Sequence, residues 1–280
     1  MTVITVTRFA PSPTGYLHIG HAFSALTAWN TAVNTGGRFI LRLEDIDESR
    51  CKPEFEAAIY EDLSWLGITW ETPVRRQSDH MADYARALEA LDKRGLIYPC
   101  FCTRGDIRTE IARMGSAPHN TKGPVYPGTC RDLSYDDQKA RSEAGRQHAI
   151  RLRMKQAVTE TGALYWHDQD LGRIPTNPMH HGDVVLARKD IPTSYHLAVT
   201  IDDALQGVTL VTRGQDLLNF TDIHRLLQAL LGLETPLYQH HKLLTDQNGR
   251  RYSKRDHSLT IRTLRETGLT PKEVGKLAGF

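Results

Sequence analysis

No apolar run in this 280-residue sequence approaches the ~20 residues a membrane span needs, and the amino terminus lacks the hydrophobic core of a signal peptide. The chain is therefore expected to be cytoplasmic, with no membrane partner. Charge of one sign is also missing. The 35 Lys and Arg against 33 Asp and Glu leave a net +2, a balance that permits a nucleic-acid partner without demanding one. Cysteine is scarce: there are four, Cys51 stands apart, and Cys100-Phe101-Cys102 is too close-set for an ordinary disulfide framework. That spacing favours a metal site over bridges. What is present, 40% hydrophobic and 24% charged residues, suffices for a sizeable core in one large domain or a main domain carrying an insertion.

The richest stretch is near the start. Val3-Ile4-Thr5-Val6 is β-branched and reads as a buried strand, while Pro11, Pro13 and Gly15 forbid a regular element after it. Ile19, Ala22, Phe23, Leu26 and Val33 then recur at helical spacing, which puts His18 to His21 in the first helical turn. Free backbone N–H groups and the helix dipole favour a phosphate there. His18 and His21 add donors, and Gly20 lets a nucleotide approach the backbone closely. A helix cap with two surface histidines has the same four letters, and the tetrapeptide alone does not separate the two readings.

Thr35-Gly36-Gly37 ends that helix, and Phe39, Leu41 and Leu43 alternate with Arg38, Arg42 and Glu44 as a second strand. A strand, helix and strand in parallel gather ligands at the strands' carboxyl ends. Glu44 lies at such an end, as an anion for a ligand ammonium group or as part of a solvated acidic turn. Pro53 opens a helix with Phe55, Ala58, Ile59, Leu63 and Leu66 on one stripe; Trp65 and Trp70 are expected to pack. Ser78 is expected to cap the next helix; Arg75-Arg76 could touch a phosphate backbone and is expected to be a solvated pair.

From Cys100 to Cys130 the periodicity breaks among glycines and prolines, as in an insertion folded around something other than an apolar core. Cys100, Cys102 and Cys130 supply three thiolates for a tetrahedral zinc ion, and ligand chemistry alone names His119 as the fourth. Ser134 caps an exposed helix over 131–144. Ile150, Leu152 and Met154 then alternate with Arg151, Arg153 and Lys155, a half-exposed strand whose basic face could track an RNA backbone or lie in solvent with no partner, the reading expected here. Val208 to Val211 is a strand ending in Thr212-Arg213-Gly214, which sets Arg213 to grip a carboxylate in bidentate fashion or to lie on the surface before a turn. Asn248-Gly249 is a turn signal, and the basic stretch after it suits a clamp on a polyphosphate.

Arg8 to Gly15 followed by His18-Ile19-Gly20-His21 resembles the catalytic-domain opening of class I glutamyl-tRNA synthetases, HIGH element included, over fourteen consecutive positions. Leu43-Glu44-Asp45 matches their L-E-D segment. Tyr195 to Asp203 matches Y-x-L-A-x-x-x-D-D, and Arg213-Gly214 the R-G that follows. Ser253 and Lys254 match the K-M-S-K-S loop, with Arg251, Tyr252 and Arg255 replacing its lysine, methionine and last serine. Ile191 stands where a glycine usually follows the aspartate at Asp190. Cys100, Cys102, Tyr126 and Cys130 match the C-x-C and Y-x-x-x-C of short family members that transfer glutamate to the queuosine base of tRNA(Asp).

The resemblance implies an α/β, doubly wound parallel, Rossmann-like nucleotide-binding domain with a zinc-bearing insertion. Its parts would be 1–99 and 148–255 as the two catalytic halves, 100–147 as the insertion, and 256–280 as a short helical tail with no anticodon-binding domain. It implies ATP, held with Mg²⁺ by His18, Gly20, His21, Ser253 and Lys254, of which His18, His21 and Lys254 are catalytic. L-glutamate would be bound by Arg8, Ala10, Ser12, Glu44, Tyr195 and Arg213. One structural Zn²⁺ would be held by Cys100, Cys102, Tyr126 and Cys130, the tyrosine replacing the imidazole that ligand chemistry names. The expected acceptor is queuosine-containing tRNA(Asp). A compact glutamyl-tRNA synthetase charging a 3′ end, and a non-catalytic tRNA- or glutamate-binding paralogue, are the rival readings.

Overall fold

The computed structural model describes residues 4–113, 119–120, 123–244 and 260–280, the side chains of 111–124 excepted. The first unit is β1 (Val6–Phe9), α1 (Ile19–Asn34) and β2 (Arg38–Leu43), with β1 and β2 parallel and Arg8 opposite Ile40. Every residue of β1 is buried, as expected of a parallel strand covered on both faces. The chain leaves α1 through Gly37, where a Cβ would lie 2.2 Å from the Thr5 carbonyl oxygen, so only glycine lets β2 enter this close to β1. Ile19, Ala22 and Leu26 face the core as expected, but Val33 is 55% exposed and Ala25, Ala28 and Ala32 complete the buried face instead. Small residues on that face bring α1 close to the sheet.

Helix α2 (Pro53–Trp65) buries Ala58, Ile59 and Leu63, with Leu66 at its carboxyl end, and Trp65 and Trp70 pack against the same core. Strand β3 (Arg75–Arg76) joins β2 in parallel, and α3 (Met81–Asp92) follows. Two expectations fail here. Ser78 caps no helix: its N–H and hydroxyl both donate to the buried Asp45 carboxylate, at 2.9 and 2.6 Å. Arg75 and Arg76 are not a solvated pair, since Arg75 bonds Asp202 and Asp83 and Arg76 bonds Glu56 and Asp45.

Strand β4 (Ile97–Cys100) leads to α4 (Arg104–Arg113), the short pair β5 (His119–Asn120) and β6 (Gly123–Pro124), and α5 (Tyr135–Glu143), which buries no residue fully and is capped by Ser134 as expected. The chain returns on β7 (Ala149–Leu152), antiparallel to β4 with Ala149 opposite Cys100. The expected strand through Lys155 stops at Leu152. Met154 begins α6 (Met154–Thr161) because the buried Asp183 carboxylate accepts its N–H at 3.0 Å, a cap supplied from 29 residues away. Both arginines of that basic pattern are spent internally: Arg151 stacks 3.8 Å over the Tyr126 ring, and Arg153 donates to the Arg131 carbonyl.

A hairpin, β8 (Tyr165–Asp168) and β9 (Gly172–Pro175), precedes β10 (Val185–Ala187), which completes an antiparallel sheet in the order β10-β7-β4. The turn after β10 closes without the usual glycine, since Ile191 is buried and its carbonyl accepts the Arg188 N–H at 2.9 Å with no positive φ. Helix α7 (Tyr195–Leu205), β11 (Leu210–Gly214), α8 (Thr221–Leu231) and β12 (Leu237–His241) follow, then α9 (Ile261–Glu266) and α10 (Pro271–Leu277). Strands β11, β12 and β8 are parallel. Thr209 N–H donates to the Val6 carbonyl at 3.0 Å, setting β11 beside β1, so parallel strands from both ends of the chain meet. The result is an α/β fold with parallel strands, to which the antiparallel β4-β7-β10 sheet and the β9 edge are additions the sequence patterns did not announce. Among the described residues no helix is long and apolar enough to cross a membrane.

Candidate active site

The carboxyl ends of β1, β2 and β11, with the amino end of α1, surround a cavity of about 470 Å³. Arg8, Ala10, Ser12, His18, Gly20, His21, Glu44, Tyr195 and Arg213 all line it, although they come from four separate stretches of sequence. Ser253 and Lys254 lie outside the described residues. Before them Lys242, Leu243 and Leu244 line the cavity, and after them Ile261 N–H donates to the carbonyl of Leu17, the residue before His18, at 2.8 Å.

His18 is the N-cap of α1 and not part of its first turn. Its Nδ1 accepts the Gly20 N–H at 3.1 Å, while His21 Nδ1 accepts the His18 N–H at 3.1 Å. These reciprocal bonds satisfy two of the helix's unpaired donors. They also fix the neutral tautomers, because a ring nitrogen that accepts carries no proton, so both rings are N–H donors at Nε2. The rings lie 3.8 Å apart. Two Nε2 donors at a helix amino terminus form a site for anionic oxygens.

Behind the cavity lies an ion network that sequence reasoning missed. Arg42 is 0% exposed although strand alternation pointed it at solvent. It donates to Asp203 at 2.8 Å, to Gln206 at 3.1 Å and to Glu44 at 3.3 Å. Arg8 donates to the same Asp203 oxygen at 3.1 Å and to the Thr212 carbonyl at 3.0 Å. The neighbouring Asp202 accepts from Arg75, Gln77 and Tyr84. Asp203 is buried, yet Arg8 and Arg42 hold its carboxyl below the usual range. Glu44 goes the other way: burial raises its carboxyl to about 6 against the pull of Arg42 and Arg8. A cationic ligand group in the cavity would favour its charged form.

Arg213 differs from Arg8 and Arg42. It is 6% exposed, and its side-chain hydrogen bonds run to His240, His224 and Thr221. Among the described residues it makes no ion pair. A buried guanidinium surrounded by neutral acceptors, at the wall of a cavity, is a receptor for an anion. No sequence signal reaches His224, His240 or Thr221. Asp202-Asp203 stands in the Y-x-L-A-x-x-x-D-D match, which gave the pair no role.

A second cluster lies beyond β4. The sulfurs of Cys100, Cys102 and Cys130 are all within 4.8 Å of one another, Cys102 and Cys130 at 3.4 Å. The Tyr126 oxygen is 3.3 Å from Cys100 Sγ and 3.8 Å from Cys102 Sγ, and it accepts the Cys130 N–H at 2.8 Å. Zinc with Zn–S near 2.3 Å would set its sulfurs about 3.8 Å apart, so the donor set fits. Burial pushes the Cys102 thiol up to about 11, a barrier to thiolate that a bound cation would remove. The side chain of His119 lies outside the described residues. Asp183 ties this cluster to the core, accepting from Tyr98 and Arg131, each at 2.6 Å.

Parallel strands carrying a capped histidine pair, with a buried arginine across the cavity that makes no ion pair among the described residues, fit a class I aminoacyl-tRNA synthetase catalytic domain. Residues 4–276 match the family described as tRNA synthetases class I (E and Q), catalytic domain. The chain is 49% identical to Glutamyl-Q tRNA(Asp) synthetase of Rhodobacter capsulatus, over 98% of this chain and 100% of that protein. It is 40% identical to Glutamate--tRNA ligase 2 of Cereibacter sphaeroides, covering 95% of this chain but 58% of that ligase. The crystal structure of a glutamate tRNA ligase from Elizabethkingia meningosepticum in complex with its amino acid superposes with a TM-score of 0.82 at 28% identity, over 99% of this chain and 61% of that one. The chain belongs to the glutamate- and glutamine-type class I synthetases, in the group named glutamyl-Q tRNA(Asp) synthetases, and is an ATP-dependent ligase.

Proposed function

We propose that this cavity activates L-glutamate with ATP in the absence of tRNA, and that the activated glutamate is transferred to the queuosine base in the anticodon of tRNA(Asp), in the cytoplasm. One observation carries the first half. Arg213 is buried and faces the cavity with neutral partners, while Glu44 lines the same cavity as an anion. A side-chain carboxylate for Arg213 and an α-ammonium for Glu44 are the two ends of glutamate. Tyr195, Ala10 and Ser12 shape the space between them, and Arg8, already shared with Asp203, braces the Glu44 side.

The free α-carboxylate then attacks the α-phosphorus of ATP. A new C–O–P bond forms as the bond to the bridging oxygen breaks, and pyrophosphate leaves. Mg²⁺ accompanies the triphosphate as its counter-charge. His18 and His21 donate Nε2–H to phosphate oxygens, Gly20 lets the nucleotide reach the helix end, Ser253 helps to bind ATP, and Lys254 neutralises charge on the departing pyrophosphate. A hydroxyl of queuosine's cis-diol attacks the activated carbonyl, and AMP leaves. The Rhodobacter capsulatus relative's name, shared at 49% identity over its whole length, supports this acceptor. ATP–pyrophosphate exchange tests the activation step: it should require glutamate and proceed without RNA, and exchange seen only after adding tRNA would reject tRNA-independent activation.

Glu44 gives a pH signature. Its carboxyl titrates near 6, so it is charged above that pH and neutral below it. The kcat/KM for glutamate, which reports the free enzyme, should fall as pH drops through about 6, and Glu44→Gln should lower the neutral-pH value and abolish that inflection. An inflection that survives in Glu44→Gln would assign it to another group.

We also propose that Cys100, Cys102, Tyr126 and Cys130 hold one structural Zn²⁺, with residues 100–147 as the insertion built on it. The three thiolates and the Tyr126 phenolate would hold the ion, which would supply a cross-link between the end of β4 and Cys130. Metal analysis should find about one zinc per chain, and Cys102→Ser should lower that content several-fold, as loss of one of four ligands does. Full zinc content in Cys102→Ser would remove that residue from the site.

A further inference from the structure

Arg213 Nε donates to His240 Nε2 at 3.1 Å, Nη1 to His224 Nδ1 at 3.1 Å and Nη2 to Thr221 Oγ1 at 2.6 Å. A guanidinium has five N–H groups, so three are spent and one remains on each terminal nitrogen, the pair that a carboxylate engages. We propose that His224 and His240 are positioning residues for amino-acid selection: neutral acceptors in fixed tautomers that aim Arg213 into the cavity and leave its charge for the substrate's side-chain carboxylate. This rests on the reading of Arg213 given above.

The tautomers follow from the partners. Each ring accepts from Arg213, so its proton sits on the other nitrogen, and each of those protons has an acceptor. His240 Nδ1–H donates to Asp168 Oδ2 at 2.7 Å, and His224 Nε2–H to His196 Nδ1 at 3.2 Å. Asp168 is held in turn by the N–H groups of His240, Asp170 and Leu171, at 3.1, 3.0 and 3.1 Å. The supports come from two elements, β12 and α8. His240 is the register partner of Arg213 on β12, and Thr221 and His224 lie one turn apart on α8. Burial and the Arg213 charge lower both imidazoles, His240 to about 4, so neither becomes a competing cation near neutral pH.

Neutrality is the point of the arrangement. Asp203, in the same region, shows the alternative: a carboxylate that engages both Arg8 and Arg42. A carboxylate in place of either imidazole would occupy Arg213 in the same way, with hydrogen bonds preserved and the charge no longer available.

The test compares two substitutions that differ only in charge. His224→Asn keeps an acceptor near the place of Nδ1, and His224→Asp puts an anion there. In the exchange assay with the full chain, His224→Asn should retain a glutamate KM within about 3-fold of wild type, while His224→Asp should raise it by ~10-fold or more, with the ATP KM unchanged in both. Equal glutamate KM values for the two, or a parallel change in the ATP KM, would overturn the proposal. Imidazole ¹⁵N spectra of the unsubstituted protein give a readout that does not depend on variant folding: His224 Nδ1 and His240 Nε2 should be unprotonated at neutral pH, and the opposite tautomer or an imidazolium at either would overturn it. Arg213→Ala separates this proposal from its premise. If that change leaves the glutamate KM alone, the reading of Arg213 fails; if it raises the KM while His224→Asp does not, only the positioning role fails.

Discussion

Replacing Arg213 by Ala should lower kcat/KM for glutamate by ~10²–10³-fold, with the ATP KM within a few-fold of wild type. The size follows from what is lost: a charge-assisted, bidentate contact inside a buried site, worth about 3–4 kcal/mol when one side is removed and the other left unpaired. His224, His240 and Thr221 supply no charge, so none of the groups that hold Arg213 replaces it. Discrimination against glutamine should collapse in the same variant, because the amide no longer meets a guanidinium demanding an anion. Arg213→Lys should recover little, since an ammonium cannot serve three fixed acceptors and a carboxylate in one plane. Equal losses for glutamate and ATP would show that Arg213 supports the fold and not the amino-acid site.

The second large effect is on stability. Arg42→Met should lower the unfolding free energy by about 3 kcal/mol and the melting temperature by roughly 5–10 °C, because it leaves buried carboxylates short of their cation. Arg42 bonds Asp203 and Glu44 and lies 3.8 Å from Asp202, entirely within the protein. Asp202 keeps Arg75, Gln77 and Tyr84, and Asp203 keeps Arg8, so the loss falls at the lower end for a broken buried pair. Adding Asp203→Asn to Arg42→Met should recover part of the deficit, since the amide carries no charge to strand. An unchanged melting temperature in Arg42→Met would contradict a desolvated network.

The residues that line the cavity were legible because they sit in contiguous motifs whose turn and strand-end chemistry is local. Their supports were not. Arg42 occupies a position that strand alternation assigns to solvent, and its main partner is 161 residues away. Both faces of β2 are covered, so period-two alternation carries no exposure signal there. Met154 fits an alternating strand until Asp183 caps its N–H and starts a helix. Ser78 has the spacing of an N-cap, but Asp45 offers it a buried carboxylate. His224 and His240 carry no motif; they matter only because α8 and β12 fold against Arg213. The cysteine cluster was visible in spacing, and the Tyr126 oxygen lies among its sulfurs, while Ser253 and Lys254 lie outside the described residues.

The most direct test of the central claim is transfer of labelled glutamate to tRNA(Asp), prepared with and without queuosine, and each with its 3′ terminal adenosine intact or removed. The account predicts label on the queuosine-containing RNA alone, undiminished when the adenosine is gone. Transfer that ignores queuosine and requires that adenosine would contradict it, and would make this chain a synthetase that charges the 3′ end.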